Sequence, residues 1–342
     1  MRIGVGLTYW PWMALDDQVE LARLADDLGF SSVWMSETWG QDAVAMLAYV
    51  AAVTKRIALG AAVIQMPARQ PTAVGMAAAT INELSRGRLR LGLGLSGPQV
   101  SEGWYGVPFT APLGRTREYI EVVRAVLAQQ KVRYHGKHIA IPADKSAGLG
   151  LGKPLKLLMP PSVGNVPIYL GVTGPRTVEQ AGEIADGWLP FLFGPRQAVE
   201  MMAPLLHGLE KAGRSRDQID IAPVIPVAVD EDAKQARDAV RPFLAFYLGA
   251  MGSAEKNFYV DVAERHGFGE SARLCQKRFL AGDRLGAQHA VSDGLVDLVA
   301  LATTPSALPA RLDEFRATGI DTLIAAPFGD RRAVLHHLSR YV

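Results

Sequence analysis

Residues 166–190 read VPIYLGVTGPRTVEQAGEIADGWLP and contain a complete strand–helix–strand unit. Residues 166–170 are an apolar run rich in β-formers, the pattern of a strand buried on both faces. Gly171, Val172, Thr173, Gly174 and Pro175 make a turn, after which Val178, Ala181, Ile184 and Ala185 recur at helical spacing. Pro175 suits a first helical position, with Thr173 or Gly174 as the cap. Asp186-Gly187 ends the helix, and Trp188-Leu189 starts the next strand. A strand that returns to its neighbour through a helix must run parallel to it. The turn also brings backbone N–H groups and a helix N-terminus to one point, which suits a phosphate or other anion. The same geometry serves equally as a plain connection that binds nothing. The turn is not GxGxxG and carries no Walker lysine, so neither standard nucleotide fingerprint applies.

This unit repeats along the chain. Strands are predicted at 3–7, 32–35, 57–64, 89–95, 166–170, 188–189, 219–229 and 322–325. Helices are predicted after Asp16 as a cap and at 43–53, 71–84, 115–129, from Pro175 to Ala185 and at 196–212, with a last helix beyond Asp330. Alternating strands and helices require a parallel sheet, and eight units predict a (β/α)8 TIM barrel, with an open doubly wound sheet as the alternative. The 342 residues are expected to form a single domain with three insertions. These lie after strand four (97–114), before strand five (134–165) and after strand seven (243–304). Active sites of such barrels lie where the strands end, so the first and third insertions are expected to cover the mouth.

Composition narrows the function classes. With 36 basic and 34 acidic residues the net charge is +2, too balanced for a nucleic-acid or anionic-membrane partner. The one cysteine, Cys275, excludes an internal disulfide and a cysteine-based metal cluster, and it reads as buried core. No signal sequence and no spanning apolar run is seen, which predicts a cytoplasmic protein.

The residues just past each strand carry what chemistry there is. Glu37 is the only carboxylate at the first four strand ends. It is the candidate catalytic group, either a hydrogen-bond partner or a proton carrier at a bound ring, or else a solvated loop charge. Trp10, Trp12, Trp39, Trp104 and Phe193 are candidates for an aromatic substrate wall. Arg69, Arg176 and Arg196 are placed to grip an anionic tail. His266 and His289 fall in the long insertion, while His207 and His336-His337 read as outer-helix residues. No triad, GxSxG elbow or metal-ligand pair is present. A barrel without its own acid–base or nucleophilic centre leaves the chemistry to a cofactor.

Four segments resemble the bacterial-luciferase-like family of flavin- and deazaflavin-dependent oxidoreductases. They are LADDLGFSSVWMSE (24–37), IALGAAVIQMPARQPT (57–72), RLRLGLGLSGPQVSEGWYG (88–106) and GPRTVEQAGEIADGWLP (174–190). The last two, with KNFYVDVAERHGF (256–268), are similar to the actinobacterial branch that uses coenzyme F420. The resemblance implies a TIM barrel with the ring at its mouth and a non-prolyl cis peptide, here Ala62–Val63, backing it. It places the cofactor against Glu37, Ala61, Ala62, Val63, Gly94, Leu95 and Ser96. The phosphate falls at Gly171, Val172, Thr173, Gly174, Pro175, Arg176 and Thr177. Glu37 stands where relatives often carry an aspartate. Thr38 replaces a histidine of the sugar-phosphate dehydrogenases, and Ser96-Gly97-Pro98 replaces their acid after strand four, which disfavours a sugar-phosphate substrate. The implied activity is F420-dependent hydride transfer to or from a small organic substrate by a homodimer. The alternatives are an FMN-dependent monooxygenase fed by a partner flavin reductase and a non-catalytic flavin-binding barrel.

Overall fold

The computed structural model describes residues 1–159 and 165–342. Its barrel strands are β1 (Arg2–Leu7), β2 (Ser32–Met35), β3 (Ala58–Ala61), β4 (Leu89–Gly94), β5 (Ile168–Leu170), β6 (Gly187–Trp188), β7 (Asp220–Ile221 and Val224–Val229) and β8 (Thr322–Pro327). Neighbours pair in parallel from β1 through β6, and β1 also pairs with β8. Strand β7 closes the ring. Its first part pairs with β6 at Asp220–Gly187, and its second pairs with β8 at Val224–Ile324. The fold is therefore the expected barrel, since an open doubly wound sheet would keep two free edges.

Strands buried on both faces read as continuous apolar runs, and Ile3, Val5, Leu7, Val33, Leu59, Leu91, Ile168 and Ile225 are all core residues here. The helices that follow are α1 (Leu15–Asp27), α2 (Ala43–Val53), α3 (Pro71–Leu84), α4 (Pro98–Gly103), α5 (Pro112–Leu127), α6 (Pro175–Ile184) and α7 (Ala198–Lys211). Helices α2 and α3 match their predicted bounds to the residue. Asp16 is not the cap of α1. Ala14 takes that position without a side-chain hydrogen bond, and Asp16 sits in the first turn, where its charge still favours the helix.

Predicted strand 57–64 is interrupted. After β3 the chain leaves the ladder at Ala62 and Val63, whose peptide bond is cis, and resumes at Ile64–Gln65 beside Leu93 and Gly94. The segment after β4 contains α4. The segment before β5 carries an antiparallel pair, Tyr134–His135 with Ala140–Ile141; residues 160–164 of that expected insertion lie outside the described residues. Between β7 and β8 stand α8 (Ala233–Ala250), α9 (Phe258–Arg265), α10 (Gly269–Leu280), α11 (Arg284–Ala290), α12 (Asp293–Val299), the short strand Leu301–Thr303 and α13 (Leu308–Ala317); α14 (Arg331–Leu338) follows β8, and a 3-10 turn (Ser339–Tyr341) comes after it. The boundary expected at residue 243 falls inside α8, which runs on from the barrel without a break. Among the described residues no helix is long and apolar enough to cross a membrane. Cys275 is buried, and burial pushes its thiol up to about 12.

Candidate functional site at the barrel mouth

A cavity of about 330 Å³ opens at the C-terminal ends of β2 to β5. The barrel contributes Glu37 and Thr38 after β2, Ala62, Val63 and Gln65 after β3, and Gly94, Leu95 and Ser96 at the end of β4. The turn after β5 adds Gly171, Val172, Thr173, Gly174 and Thr177. The insertions add Phe109, Tyr247, Met251, Lys256, Phe258 and Tyr259.

Two glycines let the backbone close around Val63. A Cβ on Gly94 would lie 2.4 Å from Val63 Cγ2, and one on Gly171 would lie 2.7 Å from Val63 Cγ1. Real side chains never approach so closely, so the surface that Val63 presents depends on the bare backbone behind it.

Glu37 is held on every side. Arg69 donates to its carboxylate in a two-pronged pair, Nη1 to Oε2 at 3.0 Å and Nη2 to Oε1 at 2.8 Å. The backbone N–H groups of Ala43 and Gln65 donate to the same oxygens at 3.2 and 2.8 Å. With its side chain 2% exposed, Glu37 is a buried acceptor whose lone pairs are spoken for. This geometry suits an anchor that fixes the ends of β2 and β3 and not a group that delivers a proton. Gln65 donates from Nε2 to the Glu37 carbonyl at 3.2 Å, and its buried Oε1 has no donor.

Proton-bearing groups stand elsewhere. The Tyr9 and Tyr247 hydroxyls share a hydrogen bond at 3.2 Å, and Tyr247 also lines the cavity. Burial is the main cause that holds Tyr9, Tyr247 and Tyr259 protonated, far above the ordinary phenol range. The Lys256 ammonium lies 5.6 Å from the Phe258 ring centre and 6.0 Å from that of Phe109, joining the two insertions.

At the turn after β5, Gly174 is the N-cap of α6 and Pro175 its first residue, as predicted. The Gly174 carbonyl accepts from the N–H groups of Thr177 and Val178 at 3.0 and 2.9 Å and from Thr177 Oγ1 at 2.8 Å.

Three expected cofactor residues stand apart from this cavity. Ala61 is packed in the barrel core, and Pro175 and Arg176 line a neighbouring cavity with Arg265 and His266. None of the five residues expected as a substrate wall lines it either. Phe193 is fully buried in the core, Trp10 and Trp104 are 71% and 63% exposed, and Trp12 and Trp39 pack against Phe246 of α8. The aromatic wall comes instead from Phe109, Tyr247, Phe258 and Tyr259. Their signal in the sequence is the run Phe243, Phe246, Tyr247 at helical spacing and the Phe258-Tyr259 pair. His266 is buried with Nε2 at 2.8 Å from the Leu192 carbonyl, and His289 is exposed on α11; neither reaches the mouth cavity.

These elements make a closed β/α barrel with an aromatic-covered cavity beside a glycine-rich helix N-terminus. A family model described as luciferase-like monooxygenase matches residues 1–322, and the chain belongs to that family. It is 40% identical over 327 residues to a Mycobacterium tuberculosis protein provisionally named as a coenzyme F420-dependent oxidoreductase, covering 95% of this chain and 94% of that one. It is 31% identical over 331 residues to the 5,10-methylenetetrahydromethanopterin reductase of Archaeoglobus fulgidus, covering 95% and 93%. Among solved structures, the coenzyme F420-dependent tetrahydromethanopterin reductase of Methanopyrus kandleri superposes with a TM-score of 0.83 at 24% identity, over 100% of this chain and 98% of that one, and shares the fold.

Proposed function

We propose that this chain is a coenzyme F420-dependent oxidoreductase that moves a hydride between the deazaflavin and a small organic molecule. The reaction is reduction of a C=C, C=N or carbonyl bond, or oxidation of an alcohol. The observation that carries this reading is the mouth cavity, where close backbone approach at Val63, aromatic cover and a helix N-terminus suit a planar ring with an anionic tail. The names of full-length relatives support the choice of deazaflavin.

Bound here, the deazaflavin would supply the two-electron hydride chemistry. Ala62 and Val63 would back its ring, and the Gln65 Oε1 that lacks a donor would accept a ring N–H. The turn at Thr173 and Gly174 would hold the phosphate. Phe109 and Phe258 would exclude water. Glu37 would act as a positioning residue through Arg69 and Gln65. A carbonyl oxygen gains charge as its carbon is reduced, and Tyr247, which lines the cavity, would donate its hydroxyl hydrogen there while Tyr9 would hydrogen-bond the phenolate that remains.

The test is anaerobic turnover of reduced F420 with a panel of enones, imines and ketones. Oxidation of F420 by at least one class supports the reading, whereas turnover only with reduced FMN and oxygen points to the monooxygenase alternative. With the active class in hand, Tyr247→Phe is expected to lower kcat by about 10²- to 10⁴-fold with F420 affinity kept. An unchanged kcat would remove Tyr247 from the role.

A further inference from the structure

Beside the ring cavity, and meeting it at Leu95, Phe109 and Pro112, lies a second chamber of about 330 Å³. Its walls combine apolar residues such as Met66, Leu95 and Ile139 with polar ones, and among the described residues no carboxylate lines it. Arg115, on the first turns of α5, lines it with its Nε buried and without a partner. Among the described residues no carboxylate lies within ion-pairing distance of Arg115. The other cation in the wall, Arg69, is already consumed by Glu37 and Asp42. His138 completes the basic side, its ring lying across Gly114, where an added Cβ would meet Nε2 at 2.6 Å.

A half-buried guanidinium without a counter-ion is costly, and its fork matches the two oxygens of a carboxylate. We propose that this chamber is a carboxylate subsite, so that the organic substrate is an apolar acid whose reactive bond lies in the ring cavity and whose carboxylate pairs with Arg115. The assignment rests on the oxidoreductase reading for its link to the reaction, but the subsite itself is testable without turnover.

The experiment is isothermal titration of the purified chain, without cofactor, with cinnamate and octanoate and with the matching amides. At least one acid is expected to bind about tenfold or more tighter than its amide, the worth of a charge-assisted pair. Arg115→Gln is expected to erase that preference, and Arg115→Lys to keep part of it, because the charge stays while the fork is lost. Acids and amides binding alike, or a preference that survives in a folded Arg115→Gln protein, would overturn the proposal. F420 titrations on the same variants separate the readings. Arg115→Gln is expected to bind F420 as the parent does. If it loses F420 affinity while keeping the acid preference, the arginine serves the cofactor's own acidic groups and the proposal falls. A parent that prefers acids but binds no F420 would uphold the subsite and overturn the F420 reading.

Discussion

Val63 and Gly94 make a sharp test at the level of single residues, because a β-branched side chain has few rotamers with which to evade a new methyl group. Gly94→Ala is expected to cost about 1–3 kcal/mol in urea unfolding. Adding Val63→Ala should recover most of that loss, since the contact at 2.4 Å is with Val63 Cγ2. Additive losses would show that the clash lies elsewhere. The Glu37–Arg69 pair predicts a different signature. Arg69→Ala strands a carboxylate that is 2% exposed and is expected to cost about 3 kcal/mol or more. Glu37→Gln should cost less, because Arg69 keeps Asp42. A loss below about 1 kcal/mol for Arg69→Ala would mark the pair as loose. Neither pairing was legible in the chain. Glu37 and Arg69 stand far apart in sequence, and nothing in an Ala-Val dipeptide signals a break in a strand; only the family resemblance pointed to it.

Where elements join, Asp26 does for the closed end of the barrel what Glu37 does for the mouth. At the end of α1 its carboxylate accepts from the N–H groups of Lys55, Arg56 and Ile57 at 2.7, 3.1 and 2.8 Å, fixing the entry to β3. Burial pushes the Asp26 carboxyl up, but these donors and the Arg56 charge outweigh it and hold it below the ordinary carboxylate range. A lowered folded value means that this stabilisation is complete above the unfolded pKa and is lost as pH falls through the folded one. Asp26→Asn is therefore expected to cost about 1–3 kcal/mol at neutral pH, with the gap to the parent closing below about pH 4. A gap that does not change with pH would contradict the assignment. At the mouth, the Phe109 and Phe258 rings lie 6.4 Å apart and Gln99 Nε2 reaches the Lys256 carbonyl at 3.5 Å, so the two insertions meet over the cavity. Phe258→Ala is expected to speed F420 release roughly 5- to 30-fold, about 1–2 kcal/mol of lost cover, with little change in Tm. An unchanged release rate would show that the cover does not gate the site.

For the molecule as a whole, the barrel was legible because its signal is repeated. Each apolar strand and each apolar helical run reports its own burial, as α2 and α3 show. The turn at Gly174 and Pro175 was legible for the same local reason. The aromatic wall was not, because which rings face the mouth depends on how α8 and α9 travel back over strands far earlier in the chain. The tryptophans at loop starts stand off the cavity, with Trp10 and Trp104 exposed, while Tyr247, more than two hundred residues from β1, lines it and pairs with Tyr9. Whether the barrel mouth holds a deazaflavin is decided by anaerobic fluorescence titration of the purified protein with oxidised F420 and, in parallel, FMN. Micromolar F420 binding, weakened in Gly171→Ala, with weak FMN binding is the expected result. Tight FMN binding without F420 binding would contradict it.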